Sequence, residues 1–401
     1  MRLFHIASDE EIRAGETTDV YFRRTMQVLR EKGLERKRVV AEVTTPSLPK
    51  GWEWGILCGV EEVARLFEGR GVNLFSLPEG TVFHPEDVNG VRIPVMVIEG
   101  PYGEFCELET PLLGLLCQAS GIATMAGRLR KLVGNKLLIG FGIRRIHPAL
   151  APMVDRASYI GGMDGVSSLA GARAIGKEPM GTMPHALIIV MGDQVRAWKA
   201  FDEVIPPEVP RIALVDTYFD EKTEAIMAAE ALGEKLWGVR LDTPSSRRGN
   251  MASIIKEVRW ELDVRGYSHV KIIVSGGINE ENIRELSKAG ADGFGVGTSL
   301  SNAPTIDFAL DIVEMEGKPV AKRGKLGGRK EVWRCEKCLR EKVLPFGKGP
   351  PTCPSCGSPC SPLLRPLISE GRITPLPSVE EIRKRVLEQL GKLPPFEEKT
   401  K

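Results

Sequence analysis

The chain has 401 residues, which is long enough for two or three domains with sizeable cores. Its 55 Lys and Arg residues nearly balance its 53 Asp and Glu residues, and a net charge of +2 gives no general attraction to nucleic acid or to an anionic membrane. No apolar run approaches the ~18 residues of a membrane span and the amino terminus lacks a signal-peptide core, so we expect a cytoplasmic protein without membrane contact.

The first 115 residues have the mixed patterns of an α+β domain. Apolar spacing predicts a helix over residues 19–33, strands over residues 38–45 and 91–100, and a helix through Glu61–Phe67. Helical residues from Thr110 to about Val133 then lead into the next part of the chain. We expect the segment of residues 303–332, much further along the chain, to return to this amino-terminal domain.

Residues 116–302 form a β/α series. Helices, including one at Glu221–Leu232 and one at about Asn250–Arg265, separate several apolar strands. This alternation predicts a parallel sheet or barrel, with ligand-binding groups at the carboxyl ends of the strands. The predicted strands are KLLIGFGIRR, ASYIGGMDGV, PRIALVDTYF, LWGVRLD, VKIIVSG and DGFGVG.

Two of these strands end in glycine-rich turns. One apolar run stops at Ser275, Gly276 and Gly277, and the next stops at Gly295, Val296, Gly297 and Thr298. Glycines allow a close approach of the backbone, and amides at such turns can bind an anion, so the pair predicts a phosphate site in a β/α barrel. Two ordinary strand-to-helix turns are the alternative, because tight turns also favour glycine.

Five of the eight cysteines lie within residues 335–360. Two CxxC pairs at this separation supply four thiolates that can surround one Zn²⁺. Such a site is filled by its protein ligands, so we expect a structural zinc in a module of residues 333–362; a redox pair is the lesser alternative. A polar, partly helical tail of residues 363–401 follows. The predicted ligands are Cys335, Cys338, Cys353 and Cys356, with Cys360 as a spare thiol.

Polar residues also cluster where the predicted strands should end. Guanidinium groups, a carboxylate, hydroxyls and an imidazole at this rim suit a sugar phosphate that carries further anionic groups. The residues concerned are Arg144, Arg145, Asp164, Ser167, Ser168, His185, Arg240 and Asp242.

In their order and spacing these motifs resemble the nicotinate phosphoribosyltransferases, particularly compact archaeal-type members with a zinc-knuckle module. The likeness runs over nearly the whole chain. It includes TTDVYFRRTMQ, FGIRR, YIGGMDGVSSLAG, GTMPHA, VRLD, SGGI, GVGTS, AKRGK and the two CxxC pairs. The resemblance implies an amino-terminal α+β domain and an incomplete parallel β/α barrel, the type II phosphoribosyltransferase fold. It also implies that nicotinate and phosphoribosyl pyrophosphate are joined with Mg²⁺, in a site that a second subunit completes.

The resemblance assigns roles to residues of this chain. Asp242 matches the position that binds the ribose hydroxyls and faces Mg²⁺-pyrophosphate, and Arg240 would reach the base or the phosphate. Phe141, with Tyr21 of a neighbouring subunit, matches an aromatic pair that sandwiches the pyridine ring. Arg144 would contact the product phosphate or the base. A plain structural role, in the core or on the surface, is the alternative for Asp242, Arg240, Phe141 and Tyr21.

The remaining roles concern specificity and energy coupling. Hydroxyls at Ser167 and Ser168 could donate to a carboxylate, which favours nicotinate over nicotinamide. His185 matches a histidine that ATP-coupled members phosphorylate, although Ala186 replaces the acidic residue that often follows it; a structural histidine is the equal alternative. The basic loop containing Lys322, Arg323 and Lys325 could reach the pyrophosphate of an adjacent subunit, or could be a solvated charge run.

Two rival functions remain. Quinolinate phosphoribosyltransferase shares the fold, but its diacid substrate requires more Arg and Lys around the base. A zinc-ribbon protein that binds RNA or another protein is the second rival, and the balanced charge argues against it. We expect an enzyme of pyridine nucleotide salvage that takes small molecules, not nucleic acid. Because the resemblance implies a site shared between subunits, we also expect a homodimer or a larger homo-oligomer.

Overall fold

The computed structural model describes residues 3–396, and within them the chain forms two compact units. Within the described residues, one unit comprises residues 3–127 and 304–396, and the other comprises residues 128–303. The helix Glu109–Val133 continues across the division, so the predicted boundary after residue 115 falls inside a helix. Because a continuous helix carries no loop signal, the sequence pattern could not mark the point where one unit ends.

The first unit is built on a seven-stranded antiparallel sheet. Apolar side chains from this sheet and from the helix Val60–Phe67 form its core, with Phe67, Leu74 and Phe105 fully buried. In sheet order the strands are Lys318–Pro319, Ala309–Met315, Arg38–Thr44, Met96–Pro101, Asn73–Ser76, Arg365–Ser369 and Arg372–Ile373. Two strands, Gly55–Ile56 and Val82–Phe83, form a separate pair.

Two chain segments reach this sheet from far along the sequence. The strand Ala309–Met315 pairs with Arg38–Thr44, in a segment that we expected to return to the amino-terminal domain. Arg365–Ser369 pairs with Asn73–Ser76, whereas the sequence suggested only a partly helical tail there. This strand was missed because its side chains do not alternate and it contains Pro366, which is compatible with a strand next to a register shift.

The helices of the first unit follow recognisable sequence signals. The hydroxyls of Ser8 and Ser378 each accept a hydrogen bond from the third backbone amide of a helix. The carboxylates of Glu11 and Glu381 in turn accept from the amides of Ser8 and Ser378, which completes a capping box at each helix. The helices are Asp9–Arg13, Val20–Glu31, Val60–Phe67 and Val379–Lys392, with 3₁₀ turns at Tyr102–Glu104 and Cys106–Leu108.

One helical stretch of the described chain, Cys106–Val133, is long and apolar enough to cross a membrane by length and composition alone. About two thirds of its most apolar window (67%) is buried within the protein, as in the core helix of a soluble protein. Uncharged polar residues such as Ser120 and Thr124 interrupt the apolar residues of this stretch, so it is not one unbroken apolar run. Both hydroxyls are buried and hydrogen-bonded. The Thr124 hydroxyl accepts from the amide of Ile56 and donates to the carbonyl of Ser120, and the Ser120 hydroxyl accepts from the amide of Cys58.

The cysteine-rich segment folds as a small three-stranded antiparallel sheet of the first unit. Its strands, in sheet order, are Glu341–Pro345, Lys330–Cys335 and Cys360–Pro362. Cys335 and Cys360 lie directly opposite each other across one strand pair. This pairing brings the first CxxC turn next to the end of the cysteine-rich segment.

The second unit is an open sheet of six parallel strands with helices between them, which is an incomplete β/α barrel. Its strands are short and largely buried, as parallel strands covered by helices are. In sheet order they are Gly165–Val166, Leu137–Gly140, Gly293–Val296, Lys271–Ser275, Leu236–Leu241 and Arg211–Leu214.

One predicted strand of this unit was wrong. The first half of ASYIGGMDGV belongs to the helix Ala151–Gly161, and only Gly165–Val166 is extended. The helix has Pro152 in its first turn and stops at Gly162, whose φ of 131° ends a helix readily. The other helices are Leu169–Ala174, His185–Met191, Gln194–Val204, Glu221–Leu232, Met251–Val264, Ile283–Lys288 and Thr298–Ser301.

Candidate active site

The carboxyl ends of three adjacent parallel strands bring the glycine turns and the Arg240/Asp242 pair together. Ser275 is in register with Gly295 on one side, and Val274 is in register with Leu241 on the other. The hydroxyl of Ser275 donates to Asp242 Oδ1 at 2.6 Å. The carboxylate of Asp242 therefore lies against the first glycine turn, on the same edge of the sheet as the second.

The two glycine turns owe their composition to backbone shape and to close packing. Gly276 and Gly277 are exposed and have φ values of +84° and +73°, a left-handed conformation that other residues rarely adopt. A side chain at Gly295 would overlap the ring of Phe141, which is therefore held over the second turn. Gly297 precedes a short helix that begins at Thr298, which is exposed.

A second carboxylate lies beside Asp242. Asp216 follows the strand Arg211–Leu214, and its Oδ2 accepts hydrogen bonds from the amide of Asp242 at 3.1 Å and from the Thr243 hydroxyl at 2.8 Å. Its Oδ1 is buried and has no hydrogen-bond partner in the described chain. Burial raises the pKa of Asp216, with Thr243 and His185 opposing the rise and Asp242 adding to it.

We did not single out Asp216 from the sequence, although a signal was present. It lies in the second half of the predicted strand PRIALVDTYF, as Asp242 lies at the end of the predicted strand LWGVRLD. The rule that selected Asp242, a polar residue at the carboxyl end of a parallel strand, applies equally to Asp216.

His185 faces both carboxylates. It is the first residue of the helix His185–Met191, and its Nδ1 is hydrogen-bonded to Thr217 Oγ1 at 3.0 Å. Its Nε2 lies 3.8 Å from Asp216 Oδ1 and 3.8 Å from Asp242 Oδ2. The fully buried Glu224 fixes this loop by accepting from the amides of Thr217, Tyr218 and Phe219. The imidazole is thus held in one orientation between two acids.

Arg240 connects the same edge of the sheet to the GTMPHA loop. Its guanidinium donates to the carbonyl of Met183 at 2.9 Å, while its Nε is buried without a hydrogen-bond partner in the described chain. Burial lowers the pKa of Arg240; Asp242 and Asp216 oppose that change, and the positive charge of nearby Arg144 adds to it. Arg144 and Arg145 are exposed in the 3₁₀ turn Gly142–Arg145.

The two predicted serines differ in their surroundings. Ser168 is buried; its hydroxyl donates to Asp155 and accepts from the amide of Gly171 at 2.8 Å, so it caps the helix Leu169–Ala174. Ser167 is partly exposed. Asp164 accepts from Arg130 at 2.5 Å and from the Leu138 amide at 2.9 Å, which identifies it as a structural residue.

The first unit carries the other predicted substrate-binding residues. Tyr21 is exposed in the first turn of the helix Val20–Glu31. Lys322 and Lys325 both pair with Asp311, at 2.6 and 2.5 Å, and Arg323 is exposed between them. Lys325 also borders a cavity of about 340 Å³ that is lined by Glu42, Thr44, Arg92, Asp311 and Lys330 among others.

Four cysteines of the first unit form a compact cluster that could hold a metal ion. The sulfur atoms of Cys335, Cys338, Cys353 and Cys356 all lie within 4.8 Å of one another. The separations of 3.4, 3.5 and 3.9 Å are too long for disulfides and suit four thiolates about 2.3 Å from one tetrahedral ion. Cys360 is buried nearby and does not belong to the cluster.

Comparison with known proteins defines the class. Family models described as the N-terminal and C-terminal domains of quinolinate phosphoribosyl transferase match residues 19–120 and 122–311. The crystal structure of human nicotinic acid phosphoribosyltransferase is 22% identical, covers 94% of each chain and superposes with a TM-score of 0.75. The fold is therefore the type II phosphoribosyltransferase fold, and the chain is an enzyme of the phosphoribosyltransferase class.

Two relatives and a second solved structure identify the family within this class. Nicotinate phosphoribosyltransferase pncB1 of Mycobacterium tuberculosis is 29% identical, over 96% of this chain and 92% of the relative. Its counterpart pncB2 is 31% identical, over 80% of this chain and 69% of the relative. A crystal structure described as nicotinate-nucleotide pyrophosphorylase from Pyrococcus furiosus is 58% identical, covers 98% and 99% of the two chains, and has a TM-score of 0.94. The chain belongs to the nicotinate phosphoribosyltransferase family.

Proposed function

We propose that this enzyme joins nicotinate to phosphoribosyl pyrophosphate, giving nicotinate mononucleotide and pyrophosphate in the salvage of NAD. The observation that carries the proposal is the Ser275–Asp242 contact, which holds a carboxylate beside two glycine turns at the carboxyl edge of the parallel sheet. A phosphate bound at the turns would leave the ribose over that carboxylate.

The pyridine nitrogen of nicotinate is itself the nucleophile, so the reaction needs no protein base. Loss of pyrophosphate from the anomeric carbon gives the ribose oxocarbenium character, and a fixed carboxylate stabilises positive charge at low reorganisation cost. Asp242 serves this role, and Arg240, two residues earlier on the same strand, binds the base or phosphate. The 5′-phosphate is held by the turns at Gly276, Gly277, Gly295, Gly297 and Thr298.

Recognition of nicotinate requires an aromatic surface and a donor for its carboxylate. The ring of Phe141, packed over Gly295, provides one face for the pyridine, and Tyr21 of a neighbouring subunit provides the other. Ser167 donates to the carboxylate, because the hydroxyl of Ser168 is already engaged within the chain. Arg144 adds positive charge near Arg240.

Two groups of residues interact with the leaving pyrophosphate, one through Mg²⁺ and one directly. The buried, unpartnered Oδ1 of Asp216 and the Oδ2 of Asp242 are the hard oxygen donors that Mg²⁺ prefers, so these acids would hold the ion that accompanies pyrophosphate and neutralises its charge. Lys322, Arg323 and Lys325 approach the same group from an adjacent subunit. This division requires at least a homodimer.

His185 is the residue through which ATP would act. Its Nδ1 is bonded to Thr217, which leaves Nε2 as the nitrogen that could accept a phosphoryl group beside the two acids. Phosphorylation there would couple ATP hydrolysis to product formation. Comparing turnover with and without ATP, in wild type and H185A, tests this part of the proposal separately.

The four-cysteine cluster holds Zn²⁺ as a structural ion. Thiolate ligands and tetrahedral spacing favour zinc over hard cations, and four protein ligands leave no position for a reactive water. None of the five cysteines of this module, all within the described residues, forms a disulfide, which suits a cytoplasmic enzyme in a reducing compartment.

Product analysis after mixing the enzyme with nicotinate, phosphoribosyl pyrophosphate and Mg²⁺ tests the main proposal. Nicotinate mononucleotide and pyrophosphate should form in equal amounts. D242A should lose about 10²–10³-fold in kcat, the usual effect of removing one preorganised electrostatic group, while its melting temperature stays near that of the wild type. Wild-type turnover in D242A would contradict the role given to this carboxylate.

Quinolinate phosphoribosyltransferase is the second candidate. It is favoured by the name of the matching family models and by the 58% identical structure described as nicotinate-nucleotide pyrophosphorylase. Against it, the arginines described above at the strand ends are Arg144, Arg145 and Arg240, which are few for a diacid. Measuring kcat/KM for nicotinate and for quinolinate, with released CO₂ as the marker of the second, decides between the two substrates.

A further inference from the structure

A buried carboxylate lies beneath the basic loop of residues 322–325. Asp311, on the strand Ala309–Met315, is directly opposite Glu42 on the neighbouring antiparallel strand. Residues in such a pair point to the same face of the sheet, and both side chains are buried, with 7% and 4% of their surface exposed. Two acids side by side repel each other, so each needs a positive partner.

The positive partners come from the loop and from the strand that follows it. Lys330 donates to both oxygens of Glu42 at 2.9 Å. Asp311 receives two lysines, Lys322 on Oδ1 and Lys325 on Oδ2. Burial raises the pKa of Asp311, but the ion pairs with these two lysines outweigh burial and hold the pKa below its ordinary value. Asp311 is therefore a charged anchor for two ammonium groups of the loop.

The two lysines differ in how much they depend on this anchor. Lys325 is mostly buried, at 15% side-chain exposure, and its ammonium group also lies 3.5 Å from the Thr44 hydroxyl. Lys322 is 67% exposed, and Asp311 is its partner. A long, exposed lysine without a partner samples many rotamers, so the Asp311 contact restricts the position of the Lys322 charge.

We propose that Asp311 is a positioning residue for the pyrophosphate end of phosphoribosyl pyrophosphate: by holding Lys322 and Lys325 side by side, it preorganises the cationic loop that binds the diphosphate. The inference rests on the proposed function of the loop. Two lysines and Arg323 outnumber the paired carboxylate of Asp311, and the nearby Glu109, whose pKa burial raises to about 7, is only partly ionised at neutral pH, so the loop keeps excess positive charge. The anchor therefore orders the lysines without neutralising the surface that faces the ligand.

The test compares D311N with E99Q in the full-length enzyme. Glu99 forms an ion pair with Arg329 at 2.7 Å in the same sheet and has no ion pair with Lys322 or Lys325, so E99Q controls for the loss of a carboxylate as such. In D311N, we expect KM for phosphoribosyl pyrophosphate to rise about tenfold, which corresponds to roughly 1.4 kcal/mol. KM for nicotinate and kcat should stay within about twofold, and E99Q should leave all three unchanged.

A purely structural role for Asp311 would lower the melting temperature without this selective change in KM. D311E keeps the charge and should restore most of the affinity, which also covers a D311N variant that folds poorly. In a double-mutant cycle with K322A, the second substitution should add less than its separate effect, because both variants lack the Asp311–Lys322 contact. Multiplicative effects in that cycle, or an unchanged KM in D311N, would overturn the proposal.

Binding of Mg²⁺-pyrophosphate, measured by titration calorimetry, separates this inference from the proposed function. If the wild type fails to make nicotinate mononucleotide, the proposed reaction is wrong. Weaker binding of pyrophosphate to D311N than to the wild type and E99Q would then still support Asp311 as the anchor of an anion-binding loop. Equal affinities in all three proteins would reject it.

Discussion

The cysteine cluster and the strand-end site are both sets of converging polar groups, yet they are assembled in different ways. The four cysteines come from two short turns within one small sheet, and their spacing along the chain already fixes which atoms can meet. Asp216, Asp242 and Ser275 lie at the ends of three separate strands and His185 begins a helix, and only the parallel sheet brings them together. Local spacing thus identifies the first site completely, whereas the second requires the topology.

Metal removal should give the largest effect and should separate the two sites. Because structural zinc contributes on the order of 10 kcal/mol of binding free energy in small modules, C338S should lose the metal and destabilise the first unit more than any other substitution considered. Cys360 provides the matched control, since it lies in the same sheet but outside the cluster. Metal content by mass spectrometry and melting curves should show the loss in C338S and not in C360S; the reverse result would contradict the four assigned ligands.

Substitution of Asp216 tests whether the strand-end site extends beyond the residues that the sequence singled out. D216N keeps an oxygen that can accept from the Asp242 amide but removes the charge that faces His185. We expect kcat to fall about 10²-fold, as for removal of one preorganised charge. The control is D220N, four residues later, where asparagine is an equally good helix cap. Equal activity in D216N and wild type would confine the site to Asp242 and Arg240.

The sequence predicted most of the architecture because its signals are local. Buried strands that end in glycine or aspartate, and helices with a capping residue such as Asn250, are each legible in a short window. Long-range pairing is not: the strand Arg365–Ser369 adds to a sheet through partners almost three hundred residues earlier, and no local pattern reveals them. Likewise, nothing near Ser168 in the sequence indicated that Asp155 would occupy its hydroxyl.

At Gly295, the packing of the assembled site, and not the geometry of the turn, requires glycine. Its φ is not positive, and glycine is needed because Phe141 packs against it. G295A should therefore cost about 1–3 kcal/mol through overpacking and should raise KM for nicotinate, since the ring must move. G249A, in the same unit with open space around the new methyl group, should change neither stability nor KM. Unchanged stability and KM in G295A would show that the ring tolerates a side chain there.

Glu109 belongs to a third group of charged residues, with Asp311, Lys322 and Asp19, which neither residue spacing nor strand ends predict. Burial, with Asp311 adding to its effect and Lys322 opposing it, raises its pKa from the ordinary 4.5 to about 7. Between these pH values the folded carboxyl keeps a proton that the unfolded chain releases, so this group stabilises the fold at low pH and the contribution is lost as pH rises through 7.

The corresponding test compares E109Q with the wild type at pH 5 and pH 8. The glutamine cannot ionise, so E109Q should melt about 2–4 °C higher than the wild type at pH 8, which is roughly 1 kcal/mol for a domain of this size, and near the wild type at pH 5. Asp311, Lys322 and Asp19 face the same carboxyl, and they are present in both proteins. The difference between the two melting curves therefore isolates Glu109, and parallel curves across this range would mean that its carboxyl is ionised throughout.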